Sequence, residues 1–248
     1  MRFTVFSFAP VPDIDTARRN FGLQDLSDAD VAKVLFHQRK QKTGHSEQLN
    51  WDQLQIASLT LVHHSLDYVQ MDSYSLAQNQ ESDLIDWVHK AISRSGRVIT
   101  WGGAQLEEPL LHFRCMKHRI SYTPYWTARQ AGEQVHLDIR RLLQVEETAP
   151  DLRLDDLARR FDLPGMLGQS SDQLTDAWLA DDSETLARYA DYRALNTYLL
   201  ALEVLSLRGE ISYADRARAQ KKLRDYLNNE AKPRARYADF LATWNNPK

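Results

Sequence analysis

The chain has 248 residues, 43% hydrophobic and 26% charged, with a net charge of −3, a composition that supports a buried core without covalent staples. So balanced a charge excludes a global basic field, and any nucleic-acid binding has to use a local patch. The single cysteine, Cys115, excludes a disulfide framework and a cysteine-rich zinc site and points to the cytoplasm. Prolines break the short apolar run after Arg2, and no apolar run reaches 18 residues; a signal peptide and a membrane span are not expected.

Met1 to Pro12 predicts a buried first strand, with Phe3, Val5, Phe6 and Phe8 in an apolar run closed by Pro10 and Pro12. Side chains two apart share a face, so Ser7 and Ala9 point the same way. They do so at the C-terminal end of the strand, where open α/β sheets carry their sites. Asp13 to Phe21 predicts a short helix stopped by Gly22. Ser27 opens a stronger one, with Asp30 placed to complete a capping box and Val31, Val34 and Leu35 as its stripe. That helix runs into His37-Gln38-Arg39-Lys40-Gln41-Lys42-Thr43-Gly44, whose cations suit the helix dipole.

Gln55 to Val62 and Leu66 to Tyr74 predict two strands, with His63-His64-Ser65 as the turn. The histidine pair lacks a third ligand at metal-binding spacing. Glu81 to Ser95 is amphipathic on Leu84, Ile85, Val88 and Ile92 and predicts a helix ended by Gly96. Arg97 to Trp101 predicts a buried strand running into Gly102-Gly103. Leu106 to Arg119 predicts a helix that tolerates Pro109 in its first turn. Ser121 to Glu133 reads as a polar, aromatic loop, and Val135 to Ile139 as a fifth strand. Helices are expected over 154–161, 170–179 and 183–207, with 164–168 as a loop. Ser212 to Asn228 and Arg236 to Trp244 form a helical tail whose Arg216, Arg218, Lys221, Lys222 and Arg224 read as a solvated face. The organisation expected is a main domain over 1–208 with a helical extension over 209–248 packed on it.

Several stretches together carry a resemblance. They are Ser7-Phe8-Ala9 before Pro10-Val11-Pro12-Asp13, the run from Gly22-Leu23 to Lys42-Thr43-Gly44, and Trp101-Gly102-Gly103 with Pro109, Leu111, His112 and Arg114. Tyr125-Trp126, His136 with Asp138, Pro164-Gly165, and Tyr189 with Leu195-Asn196-Thr197-Tyr198 complete the set. In these the chain resembles the predicted 3′–5′ exonucleases related to the proofreading domain of family-B DNA polymerases, ribonuclease-H-like proteins of the DEDDy type. The resemblance implies an α/β fold, with a mixed five-stranded sheet flanked by helices and a helical C-terminal third.

It also implies a two-metal site. Such enzymes hold two ions about 4 Å apart with four acidic residues, one ion sharpening the attacking water and the other stabilising the leaving oxygen; Mg²⁺ favours such hard oxygen ligands. The family's first strand carries Asp-x-Glu; this chain has Ser7 and Ala9. The family's Asn-Gly-x-x-Phe-Asp-x-Pro becomes Gly102-Gly103-Ala104-Gln105-Leu106-Glu107-Glu108-Pro109, with Glu107 at the aspartate position. Its Tyr-x-x-x-Asp, one face of a helix, becomes Tyr189 and Arg193. Asp191 is no substitute, because two residues along a helix turn a side chain by about 200°. The segment between Trp126 and His136 is also shorter than the family's, which removes part of a substrate groove.

Three of the four implied acidic ligands are therefore missing, and one is replaced by a guanidinium. Like charges 4 Å apart at an effective dielectric near 20 repel by about 4 kcal/mol per unit charge. The expectation is that two-metal hydrolysis is abolished and that Arg193 contacts Glu107 in the metal's place; drift, with Arg193 turned to solvent, is the alternative. His136 and Asp138 read as a hydrogen-bonded strand end. The function expected is that of a non-catalytic relative, binding single-stranded nucleic acid weakly through Arg39, Lys40, Lys42 and Arg193, or serving as a protein-interaction module. An enzyme remains open in two forms: residual metal-dependent exonuclease activity, or a new site using Glu107, Asp138 and His136. No cofactor is expected; Mg or Mn enters only with residual activity, Glu107 and Asp138 being the remaining candidates to hold it.

Overall fold

The computed structural model describes residues 1–143 and 152–246. In chain order the elements are β1 (Phe3–Pro12), α1 (Ile14–Phe21), α2 (Asp28–Thr43), β2 (Leu54–His64), β3 (Val69–Ser75), α3 (Glu81–Ser95), β4 (Val98–Thr100) and α4 (Glu107–His118). They continue with α5 (Thr123–Gln130), β5 (His136–Asp138), α6 (Ile139–Leu143), α7 (Leu154–Arg160), α8 (Leu174–Leu179), α9 (Ser183–Leu207), α10 (Tyr213–Glu230) and α11 (Ala235–Asn245).

The strand order is β3-β2-β1-β4-β5, which puts β1 at the centre. It pairs antiparallel with β2 and parallel with β4, while β3 is antiparallel to β2 and β5 parallel to β4. A central strand with helices over both faces needs apolar residues on both sides. Accordingly Phe3, Val5, Ala9 and Val11 enter one core, and Phe6 and Phe8 the other. The first core lies under α9, which packs across β1 and β2; the second lies under α3. This is a ribonuclease-H-like α/β architecture with a helical C-terminal region.

The C-terminal helices are pinned to this sheet. The α10 helix packs on β3 and α9, and α11 on α10. Leu223, Leu227, Tyr237 and Phe240 share the core of α9. Asp191 is fully buried, accepting from Thr60 Oγ1 at 2.5 Å and from Arg236 Nε at 2.5 Å. The 200° turn away from Arg193 thus directs it into a strand and the last helix. The tail cations are not simply a solvated face either. Arg216 pairs with Glu203, Lys222 donates to the Leu66 carbonyl, and Arg224 stacks 4.1 Å over Trp244. Among the described residues no helix is long and apolar enough to cross a membrane.

Two local expectations are corrected. His63 and His64 belong to β2 and not to a turn, which falls at Ser65–Tyr68 with the Ser65 hydroxyl accepting from the Asp67 and Tyr68 amides. His64 stays in the strand because it stacks on Phe3 at 4.4 Å and bonds the Tyr198 hydroxyl at 2.9 Å; burial lowers its pKa to about 4, so it stays neutral. The aromatic stretch after Ser121 contains a helix, α5, because Pro124 suits a first helical turn and its rings have partners. Tyr122 stacks on His89 at 4.1 Å and on Tyr125 at 5.1 Å, and Trp126 lies 4.9 Å from His112.

Candidate functional site

Glu107, Tyr189 and Arg193 come together beside Trp101, just past the end of β4. Val5 pairs with Ile99 in the parallel β1–β4 register, so continuing it two residues brings Ser7 level with Trp101. Ser7 is 1% exposed and its hydroxyl has no hydrogen-bond partner among the described residues; Ala9 is fully buried in the core under α9. Glu107 begins α4 and is 2% exposed. Tyr189 and Arg193 come from successive turns of α9, whose start is fixed by Asp182 accepting from the Thr185 amide at 3.0 Å.

Arg193 closes the arrangement. Its Nε and Nη2 donate to Glu107 Oε1 at 3.1 and 3.0 Å, and Nη2 donates also to the Trp101 carbonyl at 2.7 Å. The side chain is only 17% exposed, so the expected contact forms and the solvent-facing alternative does not. Burial works against the Arg193 charge, but the Glu107 carboxylate outweighs it and holds the guanidinium more firmly protonated than usual. Burial likewise raises Tyr189, against the pull of Arg193. Glu107 Oε2 is buried without a hydrogen-bond partner among the described residues.

The loop carrying Glu107 is locked from β5. Asp138 Oδ1 accepts from the Gly102 and Arg141 amides at 2.8 and 3.2 Å, and Oδ2 from the Ala104 amide at 3.0 Å. Gly103 packs so closely that a Cβ would lie 2.2 Å from Thr100 Oγ1, a spacing only glycine permits. His136 bridges Thr100 Oγ1 at 2.7 Å and Glu108 Oε2 at 3.2 Å. Both residues are therefore the hydrogen-bonded strand end read in the sequence. They make contacts separate from those of Glu107, and among the described residues no three His, Cys, Asp or Glu side chains form a metal-ligand group.

Sequence reasoning missed Glu108. Tyr125 and Arg129 both donate to its Oε1, and Arg129 lies 3.0 Å from the Tyr125 hydroxyl. Burial would raise the Glu108 pKa, but hydrogen bonds from His136 and Tyr125 and the charges around it lower it to about 2. The signal available was the acidic pair before Pro109, of which only the first was weighed. A cavity of about 440 Å³ opens beside this cluster.

A second cavity, about 380 Å³, lies over Arg193. Arg39, Trp51, Trp101, Gln105, Arg140 and Tyr189 are among its walls. A neighbouring cavity of about 290 Å³ is lined by Arg39, Lys42 and Asn50. Of the basic run, Arg39 and Lys42 thus face clefts. Lys40 lines neither, being turned to Glu47 at 2.8 Å.

A mixed five-stranded sheet flanked by helices, with Glu107 meeting the Tyr189 helix face through Arg193, defines a ribonuclease-H-like protein of the exonuclease-like class. The chain belongs to the family of predicted 3′–5′ exonucleases related to the exonuclease domain of PolB, which it matches over residues 47–244. The match begins after β1, so Ser7 and Ala9 lie outside it. A search of curated proteins finds no match.

Proposed function

We propose that this protein is a non-catalytic relative of the exonucleases, with a cleft that retains binding of single-stranded nucleic acid but not the metal-dependent cut. The observation that carries this reading is the double contact of Arg193 with one oxygen of Glu107. A pair of divalent ions needs several hard anionic oxygens. The donors at the positions that correspond to the family's ligands are a hydroxyl, a methyl, one carboxylate and a guanidinium. That set does not fit two Mg²⁺ ions, and the carboxylate already has a permanent cation. No reaction step is therefore assigned to a metal, and no cofactor is required.

Arg39 and Lys42, each lining a cleft, supply the phosphate contacts of this reading, with Arg193 at the cleft floor; Lys40 drops out of the set. Such binding weakens steeply with salt. The buried Cys115, whose thiol is pushed up to about 12 mainly by burial, is unreactive. Incubation of the purified protein with 3′-labelled single-stranded DNA and RNA in Mn²⁺ is expected to release no nucleotide. Release that stops with EDTA and in a Glu107→Gln variant purified alongside would overturn the proposal; release that the variant retains would identify a contaminant and leave it standing.

A further inference from the structure

The cavity over Arg193 is rich in guanidinium groups. It gathers guanidinium groups from three separate elements, Arg39 of α2, Arg140 of α6 and Arg193 of α9, and no carboxylate among its described walls. Arg39 donates Nε to the Gln48 carbonyl at 2.9 Å, and its two Nη nitrogens have no acceptor among the described residues. Arg140 Nη1 lies 3.4 Å from Gln105 Oε1. Arg193 spends Nε and Nη2 on Glu107 and Trp101. Trp51, 38% exposed and T-shaped to Phe113 at 5.7 Å, is an aromatic wall of the same cavity.

We propose that this cleft binds a phosphomonoester of a nucleotide without any divalent metal, Arg39 and Arg193 taking the phosphate oxygens and Trp51 the base. The inference rests on the non-catalytic reading above. A phosphomonoester carries about −1.5 to −2 charges and three acceptor oxygens at neutral pH, more than an internal phosphodiester offers. Guanidinium groups match those oxygens in planar pairs. An aromatic face adds stacking that tolerates any base. A volume of about 380 Å³ is in the range of small-molecule sites.

Isothermal titration calorimetry in EDTA with dTMP and with thymidine tests it. The expected result is that dTMP binds at least about tenfold more tightly, as loss of charge-assisted hydrogen bonds implies. Arg39→Gln should weaken dTMP about tenfold, whereas Lys40→Gln, outside the cleft, should not. A (dT)₁₂ strand carrying a 3′-phosphate, compared with its 3′-hydroxyl form, separates the two sources. Tighter binding of the phosphorylated strand than of dTMP assigns the site to strand ends; equal binding assigns it to free nucleotides. Either supports the proposal. Equal affinity for dTMP and thymidine, no binding of dTMP, or binding only with Mg²⁺ overturns it. A protein that shows no phosphate discrimination and also releases no nucleotide sinks this inference alone; Mn²⁺-dependent hydrolysis sinks the reading beneath it.

Discussion

Replacing Arg193 by methionine is expected to lower stability by about 3–5 kcal/mol, the cost of leaving a buried carboxylate without its partner. Glu107 is 2% exposed and its other oxygen has no hydrogen bond among the described residues, none of which takes over from the guanidinium. The loss of the donor to the Trp101 carbonyl adds to the effect. For a chain of this length such a change moves the melting temperature by on the order of 10 °C. The double variant Arg193→Met with Glu107→Gln should recover most of it, because removing both charges of a buried pair is often near neutral. The coupling energy of that cycle is thus expected to exceed about 2 kcal/mol. A cycle that closes additively, with each single change within about 0.5 kcal/mol of the parent as for an ordinary surface site, would mean that the pair does not hold the two elements together.

Arg114→Leu is expected to be about as damaging, since it takes a guanidinium from two buried carboxylates at once and leaves Asp13 to Lys117 and Glu81 to His118. Arg114, 3% exposed, donates to Asp13 through Nη1 and to Glu81 through Nε, at 2.8 Å, and Nη2. Glu81 in turn accepts from the Ile56 amide at 2.8 Å. One guanidinium thereby joins the end of β1, the start of β2 and the N-terminus of α3 from its seat on α4. Burial alone would raise the Asp13 pKa. Hydrogen bonds from Lys117 and Arg114, the Arg114 charge and the Thr16 amide outweigh it and bring the value down to about 2 from 3.8. A folded-state pKa below the unfolded one stabilises the protein above the unfolded value, and that stability disappears as pH falls through the folded value. About 2 kcal/mol should therefore be lost between pH 4 and pH 2. Urea midpoints measured across that range should fall more steeply for the parent than for Asp13→Asn. Parallel curves would show that Asp13 gains nothing from its partners.

Much of this site could be read from the chain because the chemistry there is local in sequence. Ser7 and Ala9 on one strand face, and Tyr189 with Arg193 on one helix face, follow from the two backbone periodicities. The meeting of Glu107 with Arg193, 86 residues apart, is expected from the resemblance, which puts both at metal-ligand positions, together with their opposite charges. What escaped was set by partners distant in sequence. His64 reads as a turn residue until Phe3 and Tyr198 are seen around it. The segment after Ser121 reads as a loop until its rings find His89 and His112. Lys40 and Arg39 are neighbours in a basic run, yet the rotation of about 100° between successive helical residues sends one to Glu47 and the other to a cleft. Arg224 and Lys222 read as solvated charges, although their long side chains reach Trp244 and Leu66 across the tail.

The central claim is that a fixed guanidinium occupies the place where relatives would hold divalent ions. Titration of Mn²⁺ into the unaltered protein, followed by calorimetry, tests it most directly. A variant carrying Ser7→Asp, Ala9→Glu, Glu107→Asp and Arg193→Asp serves as the comparison. The unaltered chain should give no saturable heat, and the four-carboxylate variant should take up Mn²⁺. Saturable uptake by the unaltered chain that Glu107→Gln abolishes would contradict the account.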